Sequence, residues 1–171
     1  MQEGCFAQPV RISSYETDLF SNMKLSSIAR YFQEIAGRQL RENGLSYTFL
    51  REKGYVFLIT KLNLLVHRYP QHMQDVVFET WAKPLGKGAE FVRCYEVRDL
   101  QGTLLAEATT HWVLANPDTH KIVRPSSWPY KMPMVERSQS LQNGIKSQKT
   151  PQRRMWVHAV FASAIWTTMG I

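Results

Sequence analysis

The chain has 171 residues, which is enough for one ordinary domain with a substantial hydrophobic core. With 44% hydrophobic and 20% charged residues its composition is globular, and the lack of any apolar run of about 18 residues predicts no membrane span. The net charge of +7 is uneven, because residues 1–136 carry +2 while residues 137–171 carry +5 and no acid. The body therefore lacks the basic stripe of a nucleic-acid-binding protein, and we expect no nucleic-acid partner.

The N-terminal segment and the cysteines indicate the compartment. The first 18 residues contain acids and have no apolar signal core, which argues against secretion. Two cysteines, Cys5 and Cys94, are too few for a disulfide scaffold, so we expect reduced thiols. The sequence therefore predicts a cytoplasmic protein.

One long amphipathic helix organises the chain. A first strand is predicted within residues 6–15, a polar turn follows, and the helix then runs from Leu25 to Asn43 with Gly44 as its left-handed end. Its apolar residues recur at helical spacing and form one stripe. They are Leu25, Ile28, Ala29, Phe32, Ile35, Ala36 and Leu40.

The remainder of the body has the alternation of β-strands. After a short helical turn within residues 46–54, strands are predicted at residues 55–70, 75–83, 90–99, 104–116 and 121–124. One parity of the first of these carries Val56, Leu58, Thr60, Leu62, Leu64 and Val66, which predicts a single buried face. One parity of the third carries Phe91, Arg93, Tyr95 and Val97. The predicted fold class is therefore α+β, with one long helix lying on an antiparallel sheet.

Several motifs that could carry chemistry have a simpler explanation. The segment PLGKG at residues 84–88 lacks the spacing of a phosphate loop and is interpreted as a hairpin turn. His67, His72 and Asp75 do not have the spacing of metal ligands, so we expect no metal and no cofactor. No G-x-S-x-G elbow is present, and Cys94 has no neighbour in the sequence that would activate its thiol.

An acidic pair, Glu16 and Asp18, precedes the helix. A carboxylate at such a junction could orient a water molecule or polarise a carbonyl group, which makes Glu16 a candidate catalytic residue. Capping and solvation of the turn explain the same residues, and we favour that explanation because short acidic residues are common at helix starts.

Residues 10–125 resemble the N-terminal half of acyl-acyl carrier protein thioesterases. The resemblance depends on five segments in the same order: YETDLFSNMKLSSIARYFQEIAG, GYVFLITKLNLLVHRYPQ, DVVFETWAKPL, the FVRCYEVRD hairpin strand and TTHWVLANPDTHKIVRP. It implies a hotdog fold, in which the antiparallel sheet wraps the long helix. It also implies hydrolysis of the thioester that joins a fatty acyl chain to its carrier protein, in fatty acid biosynthesis.

The resemblance further implies a division of labour between two hotdog domains. The first domain shapes the acyl tunnel, and the second carries the catalytic residues at the start of its own helix. Here Ser21 and Asn22 stand where a catalytic hotdog would have Gly and His, so residues 1–136 are interpreted as a non-catalytic first domain. The expected partner is acyl carrier protein with its fatty acyl chain.

An acyl chain is expected in an apolar slot between the helix and the sheet. The candidate contact residues are Ile28, Phe32 and Ile35 from the helix and Phe57, Ile59 and Trp81 from the strands. Ordinary core packing explains each of them equally well. A first hotdog alone would expose a sheet edge and apolar surface, which predicts self-association or pairing with a second hotdog.

The second hotdog is expected to follow, but residues 137–171 show no sheet alternation and are predicted to be a basic, poorly ordered or aberrant tail. As a hypothesis, this tail results from a truncation or a shifted reading frame. Codons for Ala164–Ile171 can be chosen so that another frame encodes Asp-Met-Asp-Asn-Asn-Gly-His, the motif expected at the second domain. Two alternatives stay open: a self-contained dimeric single-hotdog thioesterase that uses Glu16, and a non-enzymatic acyl-binding or dimerisation module.

Overall fold

The computed structural model describes residues 4–86, 88 and 90–139, together with the backbone of residues 155–160. Its helices are α1 (Leu25–Glu42) and α2 (Tyr47–Glu52), and single 3-10 turns lie at Ser14–Glu16 and Pro125–Ser127. Its strands are β1 (Phe6–Arg11), β2 (Val56–Val66), β3 (Asp75–Ala82), β4 (Phe91–Asp99), β5 (Leu104–Ala115), β6 (Ile122–Val123) and β7 (Met155–Val160). The predicted helix is confirmed, with Asn43 as its C-cap and Gly44 in the left-handed region at φ 77°.

These strands form one antiparallel sheet in the order β1-β3-β4-β5-β2-β7, with β6 paired to β5. Consecutive strands β3, β4 and β5 are neighbours, as short hairpin connections require. The predicted α+β class, one long helix on an antiparallel sheet, is confirmed.

The main core lies between one face of this sheet and α1. Ile28, Phe32 and Ile35 from the helix are at most 2% exposed. The ring of Phe32 lies 4.5 Å from that of Tyr95 and 5.9 Å from that of Phe78, centroid to centroid. Each such side chain contributes about 1.5–3 kcal/mol by leaving water, which explains why the apolar stripe holds the helix on the strands.

A bulge in β2 changes which side chains face the helix. Between Ile59 and Lys61 the register with β5 shifts by one residue, so Thr60 is the extra residue. The bulge inverts the side-chain alternation, and Ile59 packs against the same core as Leu62. The single parity predicted for this strand therefore holds only after the bulge, because an extra residue moves all that precedes it to the other face.

The opposite face of the sheet is covered by the segment that follows β6. Trp81 and Cys94 form a small cluster there with Val135. Arg137 lies 4.3 Å above the ring of Trp81 and forms an ion pair with Glu79 at 3.0 Å. This face therefore has its own partly apolar, partly ionic packing.

Part of the predicted tail takes part in the fold. The side-chain amide of Gln139, which is 2% exposed, donates to the Tyr95 carbonyl at 2.8 Å. Residues 155–160 pair with β2 as β7, although the sequence of the tail shows no sheet alternation. The domain boundary at residue 136 stays a prediction, and the rest of the tail lies outside the described residues.

Candidate functional site

A cavity of about 310 Å³ lies between the C-terminal half of α1 and one end of the sheet. Residues of α2 and of the start of β2 also line it. Most of the lining is apolar. The lining residues include Ala36, Gly37, Leu40, Leu45, Leu50, Phe57, Phe91, Arg93, Trp112 and Met132.

Small residues on α1 create this space. Ala36 and Gly37 follow the bulky Ile35, so the apolar stripe of the helix becomes thin just where the strands continue. A Cβ atom added at Gly37 would meet no heavy atom within 4 Å. The exposed side chains of Gln33 and Arg41 also belong to the lining, which places the opening of the cavity along this part of the helix.

Aromatic rings close the strand end of the cavity. Phe57 contacts Phe91 edge-on, with 5.2 Å between ring centroids, and both rings pack against Trp128 at 5.4 and 5.9 Å. Tyr55 and Tyr130 extend the same cluster around Trp128. These edge-to-face contacts, each worth about 0.5–1.5 kcal/mol, give the cavity a firm wall.

The cavity contains one buried cation. Arg93 is only 6% exposed, and its guanidinium donates to the side-chain oxygen of Gln39 and to the Thr80 hydroxyl at 3.2 Å. A weak contact joins it to the sulfur of Met132 at 4.0 Å. Burial lowers the pKa of Arg93, yet an arginine with so high an ordinary pKa keeps its charge. Among the described residues no carboxylate forms an ion pair with it.

A short polar chain lies beside this arginine. The Trp112 indole N–H donates to the Thr110 hydroxyl at 2.6 Å, and that hydroxyl lies 3.4 Å from the phenol oxygen of Tyr95. Burial raises the pKa of Tyr95, so the phenol stays protonated. The cavity is therefore apolar with a few fixed polar groups, the usual composition of a small-molecule site.

Of the six predicted slot residues, the structure brings only Phe57 to the cavity lining. Ile28, Phe32 and Ile35 belong to the main core, and Ile59 packs against its edge. For these four residues the geometry matches ordinary core packing, since none of them lines the cavity.

Trp81 is separated from the other predicted slot residues. It is fully buried, but it lies with Cys94 on the face of the sheet opposite α1. Its neighbour Ala82 has the opposite parity and lines the cavity. The structure therefore does not place Trp81 in a slot between helix and sheet.

Glu16 lies outside the cavity and has structural partners. It is 6% exposed, and its carboxylate accepts from the Ser13 backbone N–H at 2.7 Å, which completes a capping box on the 3-10 turn. Burial and a hydrogen bond to Glu16 together raise the pKa of Tyr31. These contacts match the capping explanation, and a catalytic role for Glu16 stays a prediction.

Within the described part of the chain, no group of three or more His, Cys, Asp or Glu side chains is placed to hold a metal ion. Nor does any helix there have the length and apolarity needed to cross a bilayer.

Sequence reasoning missed most of the cavity, including Leu40, Leu50 and Arg93. Two signals pointed to it. The helical stripe has only a small side chain at Ala36, beside Gly37, and a charged residue occupies the apolar parity of β4 at position 93. Each is ordinary by itself, and only the packing of α1 on β4 brings them to one space.

A long helix laid across an antiparallel sheet, with an apolar cavity between them, defines a hotdog-fold protein. Solved structures share this fold. They include the 12:0-ACP thioesterase from Umbellularia californica, with a TM-score of 0.67 and 18% identity over 90% of this chain and 62% of that one. They also include a DHNA-CoA thioesterase from Staphylococcus aureus, with a TM-score of 0.65 and 20% identity over 73% of this chain and 83% of that one.

Residues 3–126 match the acyl-ACP thioesterase N-terminal domain, and the chain belongs to the acyl-ACP thioesterase family. It is similar to the chloroplastic oleoyl-acyl carrier protein thioesterase 2 of Arabidopsis thaliana, with 24% identity over 133 residues. That alignment covers 72% of this chain and 36% of the relative. The chain thus spans about a third of the length of that relative.

Proposed function

We propose that this chain is the acyl-binding half of an acyl-acyl carrier protein thioesterase. The cavity beneath α1 takes the fatty acyl chain, and hydrolysis of the thioester depends on a second hotdog with its own polar residues. Water attacks the thioester carbonyl there, assisted by a carboxylate, Asn and His set. On this proposal the protein acts in fatty acid biosynthesis in the cytoplasm, although the Arabidopsis relative is chloroplastic.

The observation that carries this proposal is the cavity itself. Its volume of about 310 Å³ lies at the lower end of the range of about 300–1,000 Å³ that is usual for small-molecule sites. An acyl chain that enters it gains about 0.8 kcal/mol for each buried methylene group. Leu40, Leu50 and Phe57 supply the apolar contacts.

The opening of the cavity suits an acidic partner. Arg41 is exposed and lines the rim, so we propose that it meets acyl carrier protein when the acyl chain is inserted. Charge complementarity of this kind mainly raises the rate of association and weakens as salt is added. Exchange of Arg41 for Glu should therefore slow association with acyl carrier protein most strongly at low salt.

Acyl binding is tested with the full chain and methyl decanoate, with the fluorescence of tryptophan as readout because Trp112 lines the cavity. Gly37→Phe places a ring at the opening, where the added side chain has free space. We expect saturable binding by the wild type and at least about tenfold weaker binding by the variant.

Arg30→Phe is the matched control, since it adds the same ring to an exposed position of α1 outside the cavity. It should bind methyl decanoate as the wild type does. No binding by the wild type, or equal loss in both variants, would contradict an acyl site in this cavity.

The alternative of a self-contained dimeric thioesterase makes a different prediction. The purified chain would then hydrolyse acyl thioesters, and Glu16→Gln would abolish turnover. Acyl binding without turnover agrees both with our proposal and with a non-enzymatic acyl-binding module. The nucleotide sequence of the gene separates these two, because our proposal expects a coding region for a second hotdog.

A further inference from the structure

Arg93 carries a positive charge in a place where the described residues supply no negative one. Its side chain extends from β4 and lines the cavity, and 94% of the residue is shielded from water. Its hydrogen-bond partners Gln39 and Thr80 are neutral, as is the sulfur of Met132. A buried charge without a counter-charge is costly, because neutral dipoles replace only part of the lost hydration.

Groups on the surrounding elements do not neutralise this charge. The acid in the cavity lining is Glu34 at the exposed rim, and its carboxylate is engaged by Arg38 at 2.7 Å. Tyr95 and Cys94, the titratable neighbours of Arg93 on β4, are held protonated by burial, which raises the pKa of both side chains. Within the described part of the chain, therefore, no anion meets the guanidinium.

We propose that the cavity binds free fatty acids with the carboxylate on Arg93. A planar carboxylate matches the guanidinium fork, and such charge-assisted hydrogen bonds are about twice as strong as neutral ones. The alkyl chain then lies along the apolar wall formed by Leu40, Phe57 and Phe91. This inference depends on the proposed acyl-binding function, and it names the ionised acid as a ligand class of the same cavity.

The consequence is competition between the acid and the thioester. A neutral acyl ester can at most accept a hydrogen bond from Arg93, whereas the ionised acid also neutralises its charge. A free fatty acid with its carboxylate inward occupies the space that the acyl chain of a thioester needs. The free acid, which is the product of thioester hydrolysis, therefore inhibits acyl binding.

The test compares decanoate with methyl decanoate, both below their aggregation concentrations, by titration calorimetry at neutral pH on the full chain. The two ligands share an alkyl chain and differ in the charge of the head group. For the wild type we expect decanoate to bind at least about tenfold more tightly than the ester. Equal affinities in the wild type overturn the inference without any variant.

Variants then assign the preference to Arg93. Arg93→Met removes the charge at similar length and should bring the two affinities within about twofold, while Arg93→Lys should retain a preference for the acid. Arg30→Met is the matched control, because it removes one exposed positive charge from α1 outside the cavity and should change neither affinity. Circular dichroism checks that each variant is folded.

Two failures are distinguishable. If the wild type binds the ester as tightly as the acid, only the role of Arg93 is overturned and the acyl site remains. If neither ligand binds, both the inference and the proposed function are overturned. A preference for decanoate that persists in folded Arg93→Met also overturns the inference, since the anion is then held elsewhere.

Discussion

Gln39 accepts a hydrogen bond from Arg93 and so joins the buried face of α1 to strand β4 of the sheet. The amide nitrogen of the same Gln39 donates to the carbonyl oxygen of Gly4 at 2.8 Å, which ties the N-terminal segment to the helix. One buried amide thus connects three parts of the fold.

Loss of this amide should destabilise the fold. Gln39→Met keeps the length of the side chain but leaves Arg93 and the Gly4 carbonyl without this partner. We expect the free energy of unfolding to fall by about 2–3 kcal/mol, measured by urea denaturation. Gln33→Met, at an exposed position of the same helix, should change it little. Similar losses in both variants would show that helix propensity, rather than the buried contact, explains the effect.

The outer face of the sheet offers a second test. Arg137 forms ion pairs with Glu79 and Glu96, at 3.0 and 2.7 Å, and covers the ring of Trp81. Arg137→Met removes these contacts and leaves both acids, which are mostly buried, less well compensated. We expect a loss of about 1–3 kcal/mol in urea denaturation, limited because Arg98 still pairs with Glu96.

The control for that experiment is the ion pair between Arg11 and Asp75, which is equally short at 3.0 Å but lies in water, with side chains 58% and 44% exposed. Arg11→Met should therefore leave stability nearly unchanged, because solvent screens such pairs. An equal loss in both variants would contradict the claim that burial makes the Arg137 contacts important.

Alkaline pH should weaken the fold through Cys94. Burial raises the pKa of its thiol from the ordinary 9.0 to about 11. Between these values the unfolded chain releases a proton that the folded chain keeps, so stability is fully present below pH 9 and falls as pH rises towards 11. The loss from this group is about 2–3 kcal/mol.

Cys94→Ala removes that titration. The free energy of unfolding of this variant at pH 7 will differ from that of the wild type. Between pH 9 and 11, however, it should fall less steeply than the wild-type value, by the contribution of one proton. Chemical denaturation at several pH values measures the slope. Identical slopes would show that the thiol does not ionise differently in the two states.

Apolar side chains on the loop before α1 predict an interface. Leu19 is fully exposed and Phe20 is 81% exposed. Side chains of this size in water favour association, so we expect the chain to self-associate or to pair with a second hotdog. Replacement of both residues by Ser should shift sedimentation towards the monomer. A wild-type chain that sediments as a monomer at all concentrations would contradict self-association and leave only pairing with a second hotdog.

The helix and the strands were predictable because the apolar residues of each recur at a regular local spacing. The apolar stripe of α1 and the alternation of β3, β4 and β5 arise from side chains that must leave water on one face, and nothing distant needs to be known. Gly44 likewise marks the end of the helix by its own backbone preference. The family resemblance agreed with these elements.

Only the tertiary structure decided where the cavity lies and which side chains face it. The bulge at Thr60 exchanges the faces of β2, and a threonine at this position does not indicate a bulge. Trp81 has the pattern of a slot residue, yet its parity in the sheet turns it away from α1. Gly37 and Arg93 are 56 positions apart in the chain and line one cavity only because α1 lies over the sheet. The alternation of buried and exposed side chains along one helix or strand depends on residues close in sequence. A cavity instead forms where elements that are distant in sequence leave a gap between them.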